Sequence, residues 1–202
     1  MTLDLPARPL FAYVSNHESG DIAAYALATD SGQLAPLPRV PAGRGVMPLA
    51  ASPDGRFLYA AVRAEPFELR GYAVDPASGA LQPIDATPLP ESMVSIAVDR
   101  SGRWLIAAAY AASELLVFAI DAQGRVPAQP VQRLASGGIK PHTICLDAAN
   151  RCVYVPHLGT DEVRVYGFEA RTGTLAPSVP AQVRLQAGTG PRHLVLSPDQ
   201  RF

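Results

Sequence analysis

Four stretches of this sequence resemble one another at nearly constant spacing. Each contains an apolar run, a short turn and an arginine, and the four landmark arginines are Arg56, Arg103, Arg151 and Arg201. The intervals between them are 47, 48 and 50 residues. A fixed period of this size indicates a chain built from one repeated structural unit.

Each unit divides into four short apolar segments separated by turns. In one unit, LAASPDGRFLYAAV is followed by the alternating run LRGYAVD, the glycine turn DPASGAL and a proline-containing segment. Alternation with period two is typical of strands, and Asp-Gly pairs supply the positive φ angles of tight hairpins. The pattern predicts an all-β fold, a β-propeller of four-stranded antiparallel blades. Proline and β-branched residues exclude a helical solenoid, and a β-sandwich would not repeat its turn at constant spacing.

We expect one incomplete propeller domain over residues 1–202. The predicted boundaries are a partial first blade at 1–40, blades at 41–90, 91–137 and 138–187, and the start of a next blade at 188–202. The first unit opens on a second strand at FAYVSN, and the last stops after a first strand at SPDQRF. Two interpretations follow: a piece of a larger propeller, or a four-bladed ring closed by pairing of these two ends.

The composition excludes several functional classes. Hydrophobic residues make up 48% and charged residues 17%, and the net charge is −1, which argues against a nucleic-acid partner. No run approaches the roughly 20 apolar residues that cross a bilayer. The start MTLDLPARPL lacks the pattern of a secretory signal, and Cys145 and Cys152 are too few for a disulfide framework. We therefore expect a cytoplasmic protein with both cysteines in the core.

Candidate site residues emerge from comparing the units with one another. In a propeller, the start of each first strand and the end of each second strand meet at one mouth of the axis. Nine residues before the landmark arginines stand Met47, Val94, His142 and Arg192. Because an apolar residue satisfies packing there in two units, the imidazole and the guanidinium indicate chemistry. His193 follows Arg192 directly.

The ends of the second strands add further polar side chains. The predicted set at the mouth is Arg63, Tyr110, His142, His157, Arg192 and His193, with Asn16 and His17 in the first unit. Each has a structural alternative, such as a surface arginine at Arg63 or a core cap at Tyr110. The landmark arginines and the turn residues Asp54 and Asp199 are expected to be structural.

These residue types suit hydrolysis of an anionic ester. A histidine takes a proton from water near neutral pH, and an arginine holds a phosphate or carboxylate or stabilises an oxyanion. We predict His142 and Arg192 as catalytic residues, and Arg63, Tyr110, His157 and His193 as substrate-binding residues. The sequence has no nucleophile elbow, P-loop, dinucleotide fingerprint or metal-ligand spacing, so we expect no cofactor and no metal.

The same stretches resemble the propeller-type 6-phosphogluconolactonase family. The resemblance runs from about residue 11 to residue 202 and is carried by MPLAASPDGRFLYAAVRAE, PHTICLD, VPHLGTDEV and GTGPRH. It implies a seven-bladed propeller of which this chain holds about four blades, as a C-terminally truncated member. It also implies hydrolysis of 6-phospho-gluconolactone to 6-phosphogluconate in the pentose phosphate pathway.

A related branch, the fungal carboxy-muconate lactonising enzymes, has a histidine, a glutamate and arginines at the mouth, and His142 and Arg192 match the histidine and the first arginine. His157 stands where many relatives have aspartate, which leaves the substrate open. We therefore expect a lactone hydrolase whose partner is a small anionic sugar lactone, not nucleic acid or a membrane. The alternatives are a muconate-type lactonising cycloisomerase and a non-catalytic binding scaffold. The sequence predicts no oligomeric state.

Overall fold

The computed structural model describes residues 9–202, which fold into four antiparallel β-sheets. The first sheet contains β1 (Leu10–Asn16), β2 (Asp21–Leu27), β3 (Leu34–Pro36) and β4 (Val40–Pro41). Strand β1 pairs with one edge of β2, and β3 and β4 both pair with the other edge. The first eight residues of the predicted partial blade 1–40 lie outside the described residues.

The other three sheets repeat one topology, with four strands in chain order. The second contains β5 (Val46–Ala51), β6 (Phe57–Val62), β7 (Glu68–Val74) and β8 (Leu81–Pro88). The third contains β9 (Met93–Val98), β10 (Trp104–Ala109), β11 (Glu114–Ala119) and β12 (Gln132–Ala135). The fourth contains β13 (Cys145–Leu146), β14 (Cys152–His157), β15 (Glu162–Glu169) and β16 (Thr174–Arg184). The predicted four-stranded antiparallel blades are thereby confirmed. From residue 9 onward the chain contains no helix able to cross a membrane.

The core lies between neighbouring sheets, which explains why the second strands β6 and β10 are apolar on both faces. In β10, Leu105 packs in a cluster with Tyr59 and Phe118, whereas the next residue, Ile106, packs in a different cluster with Val153. Both faces of β10 are therefore removed from water. A strand buried on both faces has a continuous apolar run such as WLIAAA instead of strict alternation.

The glycine turns form a repeated contact between blades. Gly173 adopts φ +72°, and a Cβ atom at this position would overlap the ring of Trp104 in the preceding blade. The same contact occurs in two other units, where Gly79 packs against the ring of Phe11 and Gly124 packs against the ring of Phe57. The landmark Arg103 reinforces it by donating from Nη2 to the Ala170 carbonyl at 2.7 Å. These turns therefore pack against the preceding blade as well as reversing the chain.

Residues 188–202, predicted as the start of a next blade, form no strand in the structure. A strand needs a hydrogen-bonded partner, and among the described strands none pairs with this segment. Its backbone instead contacts the fourth unit, where the N–H of Thr143 donates to the Arg192 carbonyl at 3.3 Å. Strand β1 pairs with β2 alone in the described chain, so the four-bladed ring closed by these two ends is not formed there.

The predicted structural roles of the turn aspartates are visible. Asp54 Oδ1 accepts from the backbone N–H of Arg56 at 3.1 Å, and Asp199 Oδ1 accepts from that of Arg201 at 3.2 Å. Cys145 and Cys152 are free thiols, and both are half-buried instead of lying fully in the core.

Candidate active site at the mouth of the blades

The four residues at equivalent positions of the repeat converge on one open pocket of about 370 Å³. Met47 and Val94 lie on the inner strands β5 and β9, His142 lies just before β13, and Arg192 lies in the segment after β16. The other lining residues are Ser15, His17, Val46, Pro48, Arg63 and His193. The repeat thus delivers one residue per unit to a common point because successive inner strands are neighbours around the axis.

His142 and Arg192 are in direct contact in this pocket. Both Nε and Nη2 of Arg192 lie 3.3 Å from Nε2 of His142. Because a guanidinium has only donors, Nε2 of His142 must be the acceptor, and its ring must be neutral with its proton on Nδ1. The structure therefore fixes the tautomer of the candidate base and leaves the basic nitrogen facing Arg192.

The backbone holds these two side chains together. The N–H of His142 donates to the Pro156 carbonyl at 2.9 Å, which attaches the approach segment to the end of β14. Oγ1 of Thr143, the next residue, donates to the carbonyl of Arg192 at 2.8 Å. Neighbouring units are therefore fastened to each other at the two residues that meet in the pocket.

The surroundings of His142 strongly disfavour its charged form. His142 is only 7% exposed, and its Nδ1 is buried without a hydrogen-bond partner in the described chain. Burial, followed by the positive charges of Arg192, His193 and Arg63, lowers the pKa of His142 to about 4. The ring of His193 stands edge-on to it with centroids 4.9 Å apart. At neutral pH His142 is therefore an unprotonated base.

Arg63 approaches the pocket from the end of β6 and is aimed by two neighbours. Its Nε donates to Oγ of Ser92 at 3.2 Å, and its Nη1 lies 3.3 Å from Sδ of Met47. Met47 is itself held by Ser15, whose Oγ donates to the Met47 carbonyl at 2.6 Å. These contacts leave the Nη2 edge of the guanidinium for an anion.

Two predicted substrate-binding residues do not line the pocket. His157 has no exposed surface, because Gly138 packs against its ring and its Nδ1 lies 2.9 Å from the Val155 carbonyl. Burial lowers its pKa. This geometry gives His157 no direct contact with a pocket ligand. Tyr110 stands behind His142, with ring centroids 6.1 Å apart in an edge-on arrangement.

Sequence reasoning missed Ser15 and Ser92. Ser15 lies next to Asn16 near the end of β1, so its position at a second-strand end was the available signal. Asn16 instead binds Asp21 through its side chain at 2.7 Å. Ser92 lies in a loop before β9, and no feature of the repeat marks it. Among the residues that the structure describes, no three His, Cys, Asp or Glu side chains are grouped to hold a metal ion.

Known proteins agree with this architecture. A family model described as "Lactonase, 7-bladed beta-propeller" matches residues 10–202. A 6-phosphogluconolactonase of Erwinia tasmaniensis is 34% identical over 190 residues, which are 94% of this chain and 56% of that protein. The corresponding protein of Pectobacterium carotovorum is 35% identical over 190 residues, covering 94% and 55%. The chain thus spans about half the length of these curated relatives.

Solved structures show the same fold. A periplasmic gluconolactonase of Pseudomonas aeruginosa superimposes with a TM-score of 0.79 at 24% identity, covering 96% of this chain and 60% of that one. A Bacteroides fragilis protein described as a candidate 6-phosphogluconolactonase gives 0.78 at 19% identity, with the same coverage. On the family match and the sequence identity together, this chain belongs to the lactonase family of seven-bladed β-propellers.

Proposed function

We propose that the protein of which this chain forms four blades hydrolyses a lactone, and that its substrate is 6-phospho-gluconolactone. The observation that carries the proposal is the contact between His142 and Arg192 in a pocket that also receives Arg63 and His193. A neutral imidazole beside guanidinium groups suits attack of water on an ester that carries an anion. The names of the curated relatives support this substrate.

Each side chain has a defined role in this reaction. Nε2 of His142 takes a proton from water as the water oxygen attacks the lactone carbonyl. Arg63 and Arg192 together hold the phosphate of the substrate, and the remaining N–H donors of Arg192 stabilise the negative charge that develops on the carbonyl oxygen. His193 lies beside the ring of His142, lines the pocket and contributes a further polar contact. The product is 6-phosphogluconate, which places the reaction in the pentose phosphate pathway.

The proposed partner is therefore a small anionic sugar lactone. We also propose that the reaction takes place in the cytoplasm. The free thiols of Cys145 and Cys152 support this location, because unpaired thiols persist in a reducing compartment. Fractionation of cells with an antibody to the chain tests the location directly, and recovery outside the cytoplasm would contradict it.

The test is hydrolysis of 6-phospho-gluconolactone, coupled to measurement of 6-phosphogluconate. We expect His142→Ala and Arg192→Ala each to lower kcat/KM by about 100-fold or more, the usual loss when a general base or an oxyanion donor is removed. Arg125→Ala is the matched control, because Arg125 is exposed in the turn after β11 and does not line the pocket.

Circular dichroism establishes that each variant keeps the fold of the parent. If both pocket variants hydrolyse the lactone at the parent rate, the catalytic assignment is wrong. If the parent protein, extended to the full length of its relatives, shows no hydrolysis at all, the lactonase proposal fails, and the cycloisomerase and scaffold alternatives remain.

A further inference from the structure

The contact between Arg192 and His142 cannot survive protonation of His142. Two N–H groups of Arg192 share the lone pair on Nε2, and a protonated imidazole has no lone pair to offer. The other ring nitrogen, Nδ1, already carries the proton and is buried without a partner in the described chain. A proton can therefore enter His142 only at Nε2, and only when Arg192 withdraws.

The described lining of the pocket also carries more positive than negative charge, although Oε1 of Glu18 lies 3.1 Å from Nδ1 of His17. Arg63, Arg192 and the titratable His17 and His193 line it, and no Asp or Glu is among the described lining residues. Behind the ring of His142 stands Tyr110, and Nζ of Lys140 lies 5.7 Å from the centre of the Tyr110 ring. Among the described residues, the charges that act on His142 come from Arg192, His193 and Arg63, and all three disfavour its protonated form. An anion in the pocket would offset this charge and compete for the donors of Arg192.

We propose that an anionic group on the substrate activates His142 through Arg192, so that the site selects phosphorylated or carboxylated lactones at the catalytic step as well as at binding. An anion that engages Arg192 draws the guanidinium from Nε2 and exposes the basic nitrogen to water. Arg192 is then a specificity-determining residue that acts through His142. This inference rests on the proposed lactone hydrolysis. It adds that the anion engages Arg192 first and that His142 acts as a base only afterwards.

The step conserves atoms and charge. Nε2 of the freed His142 takes one proton from water while the water oxygen forms a bond to the lactone carbonyl carbon. The tetrahedral intermediate then breaks the ring C–O bond, and the departing alkoxide takes the proton back from His142. One lactone and one water give one hydroxy acid, and His142 returns to its neutral form, to which Arg192 can donate again.

A titration of the imidazole tests the coupling without any need for turnover. The carbon-bound protons of the His142 ring are followed by NMR from pH 3.5 to 8, with and without saturating inorganic phosphate. We expect phosphate to raise the pKa of His142 by at least about one pH unit, because it offsets neighbouring positive charge. In Arg192→Gln we expect a pKa that starts higher and moves much less with phosphate.

Phosphate binding itself is monitored through the ring protons of His193, which lies in the same pocket. If phosphate shifts the His193 signals while the pKa of His142 stays unchanged, the coupling is refuted. If phosphate causes no change anywhere in the pocket, the anion site is absent and the proposal falls as well. Arg125→Ala should reproduce the parent titration.

Kinetics then distinguish an anion carried by the substrate from a free one. We expect neutral gluconolactone to show a kcat at least about tenfold below that of 6-phospho-gluconolactone, and inorganic phosphate to raise kcat for the neutral lactone alone. Equal kcat values for the two lactones would overturn the inference while leaving lactone hydrolysis intact. If neither lactone is hydrolysed, the proposed function fails, whereas the NMR titration still decides whether Arg192 controls His142.

Discussion

Replacing His142 with glutamine should make the protein less sensitive to acid. The folded state holds the pKa of His142 at about 4, whereas an unfolded chain has the ordinary value of about 6.5. Between these values the unfolded chain binds the extra proton, so stability falls as the pH drops from about 6.5 through about 4. The glutamine variant has no such group and should lack this part of the decline.

The magnitude follows from the size of the pKa depression. Each pKa unit corresponds to about 1.4 kcal/mol, so the full contribution is roughly 3 kcal/mol, of which most is lost by pH 4.5. His142 is 7% exposed, so solvent screens this energy little. The pKa of buried His157 is also lowered and acts with the same sign. Because His157 is present in both proteins, its effect cancels in the comparison.

Urea unfolding at pH 7.0 and pH 4.5 measures this difference through the single tryptophan of the chain. Trp104 reports the fold because its Nε1 donates to the Ala170 carbonyl of the next blade at 2.8 Å. The parent should lose roughly 2–3 kcal/mol more than His142→Gln between the two pH values. Parallel losses in the two proteins would refute the assigned protonation state. His142→Asn provides a second non-titrating variant should glutamine disturb the fold.

Two further predictions concern positioning and the blade interface. Ser92→Ala should remove the hydrogen bond that aims Arg63 and raise KM for 6-phospho-gluconolactone about fivefold with little change in kcat, equivalent to about 1 kcal/mol; an unchanged KM would deny Ser92 this role. Gly173→Ala should cost about 2–4 kcal/mol in urea unfolding, because the new Cβ adds overlap with Trp104 to the strain of a positive φ. Gly32→Ala is its matched control, with the same φ of +72° and nothing within 4 Å, and should cost only about 1 kcal/mol; equal losses would show that the contact with Trp104 is unimportant.

The blades were predictable from the sequence because each is specified locally. Strands and turns depend on residues a few positions apart. The same pattern of apolar run, turn and arginine recurs between Arg56 and Arg103, so the same local structure is specified again. A repeated unit also predicts which residues are equivalent in space. For this reason the repeat alone predicts that His142 and Arg192, 50 residues apart in the sequence, occupy equivalent positions of neighbouring units.

The lengths of individual strands and the structure at the end of the chain were less predictable. The inner strand of the fourth sheet is only two residues long, Cys145–Leu146, although its sequence TICLD reads as a full strand. Residues 188–202 read as a strand as well and form none. Strand length depends on the partners available at each edge, and these come from segments distant in sequence.

The sequence alone determined the repeat, the antiparallel blades and the convergence of one residue per unit on a common pocket. It could do so because period-two patterning and turn chemistry are local properties. The tertiary structure decided how those side chains are used. It brought the guanidinium of Arg192 within hydrogen-bonding distance of Nε2 of His142 and joined Arg63 to Ser92 by a hydrogen bond. It also packed Gly138 against the buried ring of His157. Each of these contacts joins residues from different loops or strands, and their orientation follows from how the blades pack, which no short stretch of sequence contains.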